Sequence, residues 1–310
     1  MVIKPLYKAT VGLNDKLDPM RGSYAEESGT VGLVKADNIT IDTSGGISRR
    51  EGYTNLLSSL THSLFSCYDY GLCVNNNHLC LINGDFTLKI LTNVDGTLKM
   101  AYARSFDATD DCIYFTNGKI SGTVLNKSYQ AWTVKPYVGV KSTEALTRTF
   151  ASKVPTGQIL EIYNGRMYIA DGNIVYFSEP YAYSWFNMTS DYMIFNDQVT
   201  MVRGLTDCMY ISTTEEIFFL EGASPKEFKQ VRAFDAGVIA GTDIKIIASQ
   251  YDIQAHDNAL IFCTNGKGIC TCDNGGQITN HTKTTLNFPE ARIGCAYIDT
   301  NNHYVVTLIQ

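Results

Sequence analysis

The chain has no apolar run near the roughly 20 residues a membrane helix needs, and little of the 3.6-residue periodicity that marks amphipathic helices. Chemistry-bearing motifs are equally scarce. The five histidines are scattered outside any H-E-x-x-H, and no C-x-x-C pair offers half a zinc site. Neither a G-x-S-x-G nucleophile elbow nor a phosphate-cradling Walker loop is present. Adjacent carboxylates occur at Asp110-Asp111 and Glu215-Glu216, but neighbours on a strand point to opposite faces and form no acid/base couple. "DNITIDTSGG", from Asp37, has the acids and glycines of a calcium loop, yet reads more simply as a β-turn. The sequence therefore predicts no catalytic residue, no cofactor and no metal. Sialidase-type S-x-D-x-G-x-x-W boxes, WD dipeptides and kelch double-glycine signatures are also missing.

What is present is a chain of 310 residues, 45% apolar and 18% charged, enough for one large β domain or two medium ones. Acids outnumber Lys plus Arg by 31 to 25, a formal charge of −6, which disfavours a surface that coats nucleic acid. "MVIKPLYKATVGLNDK" lacks the apolar core and cleavage site of a secretory signal, an expectation that gives the N-x-S/T sequons at Asn38, Asn126, Asn187 and Asn280 no weight. The nine cysteines lie mostly inside apolar alternating stretches and read as free, buried thiols. Cys270 and Cys272 would share one strand face, but two ligands do not hold a metal.

Short segments rich in Ile, Val, Tyr, Phe and Thr alternate with tight polar turns. "GLCVNNNHLCLING" begins at Gly71, "DCIYFTNGKISGTVL" at Asp111 and "GRMYIADGNIVYFSE" at Gly165; "DCMYISTTEEIFFLE" begins at Asp207 and "NALIFCTNGKGICTC" at Asn258. Each reads as strand, turn, strand, with turns of the Asn-Gly and Asp-Gly kind that match the twist of a two-stranded ribbon. Their spacing of about 40 to 55 residues suits the blades of an all-β propeller. Flanking segments such as "GQILEIYNG" and "PKEFKQVRAF" supply four strands per blade. The terminal hairpins, "ADNITIDTSGGISRREGY" and "GCAYIDTNNHYVVTLIQ", would pair to close the ring, which hides edge strands. The expectation is a β-propeller of about six four-stranded blades, five to seven being compatible, over residues 36–310. The segment from Lys135 to Pro155 is poorly patterned, and residues 1–35, polar and little alternating, read as an extended N-terminal arm suited to a neighbouring subunit.

Tyr168, Tyr176 and Phe177 suit the layers between blades. Trp185 and Phe186 follow the Glu179-Pro180 break, where a loop is expected, and are open to either exposed contact or burial.

"NITIDTSGGISRREGYTNL", from Asn38, resembles an N-terminal signature of tailed-bacteriophage virion proteins, with Asn38, Asp42, Gly45, Arg49, Arg50, Gly52 and Tyr53 as its elements. "VGLNDKLDP" upstream is similar to their opening, and "GRMYIADGNIVYFSEP", "EIFFLEGASPKEFKQV" and "NGKGICTCDNGGQITNHT" look like successive blades. The resemblance is to the propeller-bearing tail and connector proteins, including the podophage tail nozzle or packaged-DNA stabilisation family. It implies a non-enzymatic structural protein of the virion, assembled in the host bacterial cytoplasm. It implies a ring oligomer, a hexamer, beneath portal and adaptor proteins, which docks needle, fibre or spike proteins. Genomic DNA would pass through that ring without specific binding, helped by an acidic lumen. Nozzle proteins are usually longer, with a platform or tip domain for which this chain has little room, so the place in the tail or connector stays open.

Arg49, Arg50, Tyr53, Glu179, Pro180, Trp185 and Phe186 are the candidate interaction residues. Arg49 and Arg50 fit surface charges, a salt-bridged anchor between blades or subunits, or a grip on DNA. Two other functions compete. One is a glycan-binding propeller, receptor-binding or lectin-like, with Trp132 and Trp185 as stacking platforms. The other is a hydrolase whose site is assembled from distant carboxylates.

Overall fold

In a computed structural model, the described residues are 9–16, 24–25, 30–42, 44–52, 54–67, 69–105, 112–134, 153–222, 224–251 and 258–310. Tyr53, Asp110-Asp111, His256 and most of the stretch from Lys135 to Pro155 lie outside them. The described residues contain 28 strands and no α-helix.

Five antiparallel sheets follow one another along the chain. The first is β6 (Thr61–Ser66), β7 (Tyr70–Asn75), β8 (His78–Asn83) and β9 (Leu88–Asn93). The second is β10 (Ala101–Arg104), β11 (Cys112–Thr116), β12 (Ser121–Leu125) and β13 (Ser128–Ala131). In the third, β14 (Ile159–Tyr163), β15 (Arg166–Asp171), β16 (Ile174–Glu179) and β17 (Ala182–Phe186) are joined by β18 (Tyr192–Ile194), which also pairs with β16. The fourth is β19 (Val199–Gly204), β20 (Cys208–Thr213), β21 (Ile217–Glu221) and β22 (Lys229–Phe234). The fifth is β23 (Ile244–Ile247), β24 (Asn258–Thr264), β25 (Gly268–Cys272) and β26 (Ile278–Asn280). Each hairpin read from the sequence forms the two middle strands of one sheet. The turn that joins β14 to β15 follows from local chemistry: Asn164 and Gly165 both take positive φ, at 46° and 70°, as a type I′ turn requires.

The core is divided into layers between consecutive sheets, which makes the architecture a β-propeller. Leu72, Leu79 and Leu81 of the first blade meet Ile113, Phe115 and Val124 of the second. Ala103 of the second meets Leu160, Met167, Ile169 and Phe186 of the third. Tyr168 and Phe177 pack against Val202, Met209 and Ile211 of the fourth, as their packing role predicted. Tyr210 and Ile217 pack against Leu260, Phe262 and Cys270 of the fifth. Each fully buried large side chain contributes about 2 kcal/mol that no single blade could gain alone. Among the described residues the sixth sector holds the hairpin of β27 (Ile293–Ile298) and β28 (Tyr304–Ile309), whose Tyr304, Val306 and Leu308 pack on the fifth blade.

Two expectations about the ends of the chain are corrected. The hairpin of β4 (Ile39–Ile41) and β5 (Ile47–Arg49) does not pair with β27 or β28; each hairpin is its own two-stranded sheet. The described part of the N-terminal arm is a small sheet, with β3 (Thr30–Leu33) between β1 (Ala9–Leu13) and β2 (Tyr24–Ala25). It is anchored on its own chain: Asp15 N–H donates to the Thr285 carbonyl at 3.0 Å, and Asn287 N–H donates to Asp15 Oδ1 at 2.7 Å.

Candidate functional site: a charged cluster on the inner strands

In the third, fourth and fifth blades the first strand, or the residue just before it, sets charge among apolar residues, in "ILEIY", "TMVRGL" and "TDIKII". Folding gathers these residues. Arg203 of β19 donates through Nε to Asp243 Oδ2 at 2.5 Å and through Nη1 to Glu161 Oε2 at 3.0 Å. The backbone N–H of Gly204 donates to Glu161 Oε1 at 3.1 Å, and Lys245 pairs with the same oxygen. Lys245 thus reaches from the fifth blade to the third past the fourth, which places the group on the inner strands near the axis. From the loop before β10, Lys99 Nζ donates to the Gly294 carbonyl of the sixth sector at 2.7 Å.

The side chains of Glu161 and Asp243 keep only 6% and 7% of their surface. Burial opposes charge on Arg203, but the facing carboxylates of Asp243 and Glu161 outweigh it and raise its pKa. Burial also lowers the pKa of Lys99, against the pull of Cys295 and Asp243. Two carboxylates therefore face three cations, and each carboxylate is bound by a cation from another blade. The cluster clamps three blades together.

Among the described residues no group of three or more His, Cys, Asp or Glu is placed to hold a metal ion. Asp42 closes its own turn, with Oδ1 accepting from Ser44 N, Ser44 Oγ and Gly46 N at 2.8, 2.5 and 2.8 Å. All nine cysteines are free, and six are buried. Burial pushes the Cys270 thiol up to about 11, which keeps it protonated near neutral pH.

The predicted interaction residues do not converge on this cluster. Arg49 and Arg50 are exposed at the end of β5, Arg50 N–H donating to the Asn38 carbonyl at 3.1 Å; Tyr53 is outside the described residues. Glu179 ends β16 and Pro180 opens the tight turn into β17. The loop expected after Pro180 is instead strand β17, on which Trp185 is half-buried and Phe186 fully buried. Phe186 lies edge-on to Trp132, their centroids 6.4 Å apart, so neither ring is an exposed platform for a partner or a sugar. The exposed aromatic of this stretch is Tyr181, 82% accessible, which sequence reasoning missed. Its φ of +54° is unusual for a bulky residue, and its N–H donates to the Gly165 carbonyl at 2.6 Å.

No family model and no curated protein matches this chain. Solved structures do. The extracellular domain of a one-component system from B. thetaiotaomicron is 10% identical over 82% of this chain, with a TM-score of 0.50; the chain spans 31% of that structure's length. Virginiamycin B lyase from Staphylococcus aureus is 13% identical, over 82% of this chain and 86% of its own, at a TM-score of 0.48. BBS1N, solved in complex with ARL6DN, is 9% identical over 85% of this chain and 83% of its own, at 0.46. At these identities the common feature is the β-propeller fold.

Proposed function

We propose that the chain is a non-enzymatic structural component of a tailed-phage virion, in the tail or head–tail connector. The run of motifs from Asn38 to Thr282, in the order found in propeller-bearing tail proteins, carries the reading. The inner-strand cluster supports its non-catalytic part, because its charges hold blades together and are satisfied by one another. Copies of the chain form a hexameric ring beneath portal and adaptor proteins, extend the DNA channel, help retain the packaged genome and dock needle, fibre or spike proteins. At −6 per chain, the assembled lumen repels the phosphate backbone and lets DNA pass without sticking.

Imaging of particles that carry the protein tests this directly. A ring coaxial with the portal is expected; particles without such a ring, or with the protein only as scattered monomers, overturn the reading. In the same system, replacing Arg49 and Arg50 with Ala lowers particle yield if the pair anchors subunits. An unchanged yield removes that role.

A further inference from the structure

Among the described residues five blades have at least four strands, whereas the sixth sector has two. The Arg292 N–H donates to the Ile309 carbonyl, so Ile309 turns its backbone groups toward β27. By strand alternation Val306 and Leu308 turn theirs the other way, and no strand pairs with that edge of β28 among the described residues. The position where a third strand belongs is an unpaired edge.

Two exposed apolar faces belong to the elements on either side of the fifth-to-first junction of the chain's blade order. On the hairpin, Tyr297 and Ile309 face away from the fifth blade and are exposed, Ile309 by 61%. On the first blade, Leu72, Val74, Leu79 and Leu81 face the second blade. The opposite face carries Leu64, which a Cβ on Gly71 would touch at 3.7 Å, and Ile90, the cross-strand partner of Cys80. Leu64 and Ile90 are also exposed, Ile90 by 60%. An edge unpaired among the described residues, beside an exposed apolar face, is a template for an extended strand pair.

One element of the chain fits the vacancy. The β4–β5 hairpin has two strands, the number missing, and sets half-buried Ile39, Ile41 and Ile47, with exposed Arg49, on one face against Thr40 and Ser48 on the other. None of its side chains belongs to any of the six apolar clusters. Within its own chain it is tied to the N-terminal sheet, Thr10 N–H donating to the Gly45 carbonyl at 2.9 Å, and it pairs with no strand of the ring.

We infer that the outer half of the sixth sector is completed by the β4–β5 hairpin of a second copy, which adds to the free edge of β28. The inference rests on the ring-forming reading above and names its contact. Donor and acceptor are different surfaces, so the contact is head-to-tail and repeats until a ring closes.

The test is native mass spectrometry, under reducing conditions, of the full chain and two variants. Ile309→Lys blocks the acceptor and Ile41→Lys the donor, both at positions with solvent access. Wild type forms multimers and each variant alone is a monomer. An equal mixture of the two variants forms a dimer and nothing larger, because one working surface remains on each; this rescue shows that both variants are folded. A wild-type monomer overturns the inference; if both variants then also lose thermal stability, the hairpin closes its own ring. A wild-type multimer that neither substitution disturbs also overturns it, while leaving the virion ring itself standing.

Discussion

Arg203 illustrates what a single residue contributes here. It bridges Glu161 and Asp243, both nearly buried, and its removal leaves Asp243 without its ion-pair partner and Glu161 with Lys245 alone. Arg203→Met is expected to cost about 3 kcal/mol in urea unfolding, the loss associated with breaking a buried pair from one side. Phe186 and Trp185 form a second contrast, because one faces the core layer while its neighbour is half-buried. Phe186→Ala should cost about 3–5 kcal/mol and Trp185→Ala clearly less, read as the difference in unfolding midpoints. A charged residue inside an inner strand was visible in "ILEIY" and in "TMVRGL". Its partner was not, since Glu161 and Arg203 are 42 positions apart and meet only when blades stack.

Among elements, the hairpins were the most legible. Their turns are decided within a few residues, and Asn164-Gly165 needs nothing beyond its own φ preferences. Even there tertiary contact adds a condition. A Cβ on Gly165 would come within 2.8 Å of the Tyr181 ring, whereas one on Gly172, also at positive φ, would meet nothing within 4 Å. Gly172→Ala is therefore expected to cost about 1 kcal/mol from the backbone alone. Gly165→Ala should cost more, and the excess should vanish in a Tyr181→Ala background, as a double-mutant cycle of denaturation midpoints would show. Strand β17 was misjudged for a related reason. Pro180 does break the chain, but only for a tight turn, after which Ala182 pairs again with Glu179.

The whole molecule carries its stability in the layers between blades, and the buried thiols report on it. Burial holds Cys73, Cys263 and Cys270 up at about 11 and, with Asp207 nearby, Cys208 up at about 12. Unfolded, these thiols ionise from about pH 8.5. Above that pH the unfolded chain has released protons the folded chain still holds, so the folded state loses stability as pH rises. Urea midpoints should stay flat near neutrality and fall from about pH 9, with a shallower fall for Cys208→Ala. A midpoint unchanged from pH 8 to pH 11 would contradict the burial of these side chains.

By itself the sequence determined the hairpins, the repeat and the all-β propeller, because turn chemistry and two-residue alternation act over a few neighbouring positions. Only the tertiary structure decided which aromatic is exposed, which charges meet on the inner strands, and that the terminal hairpins stay apart. Those outcomes depend on how blades stack and where the ring ends, and pairings between residues tens to hundreds of positions apart leave no periodic trace along the chain.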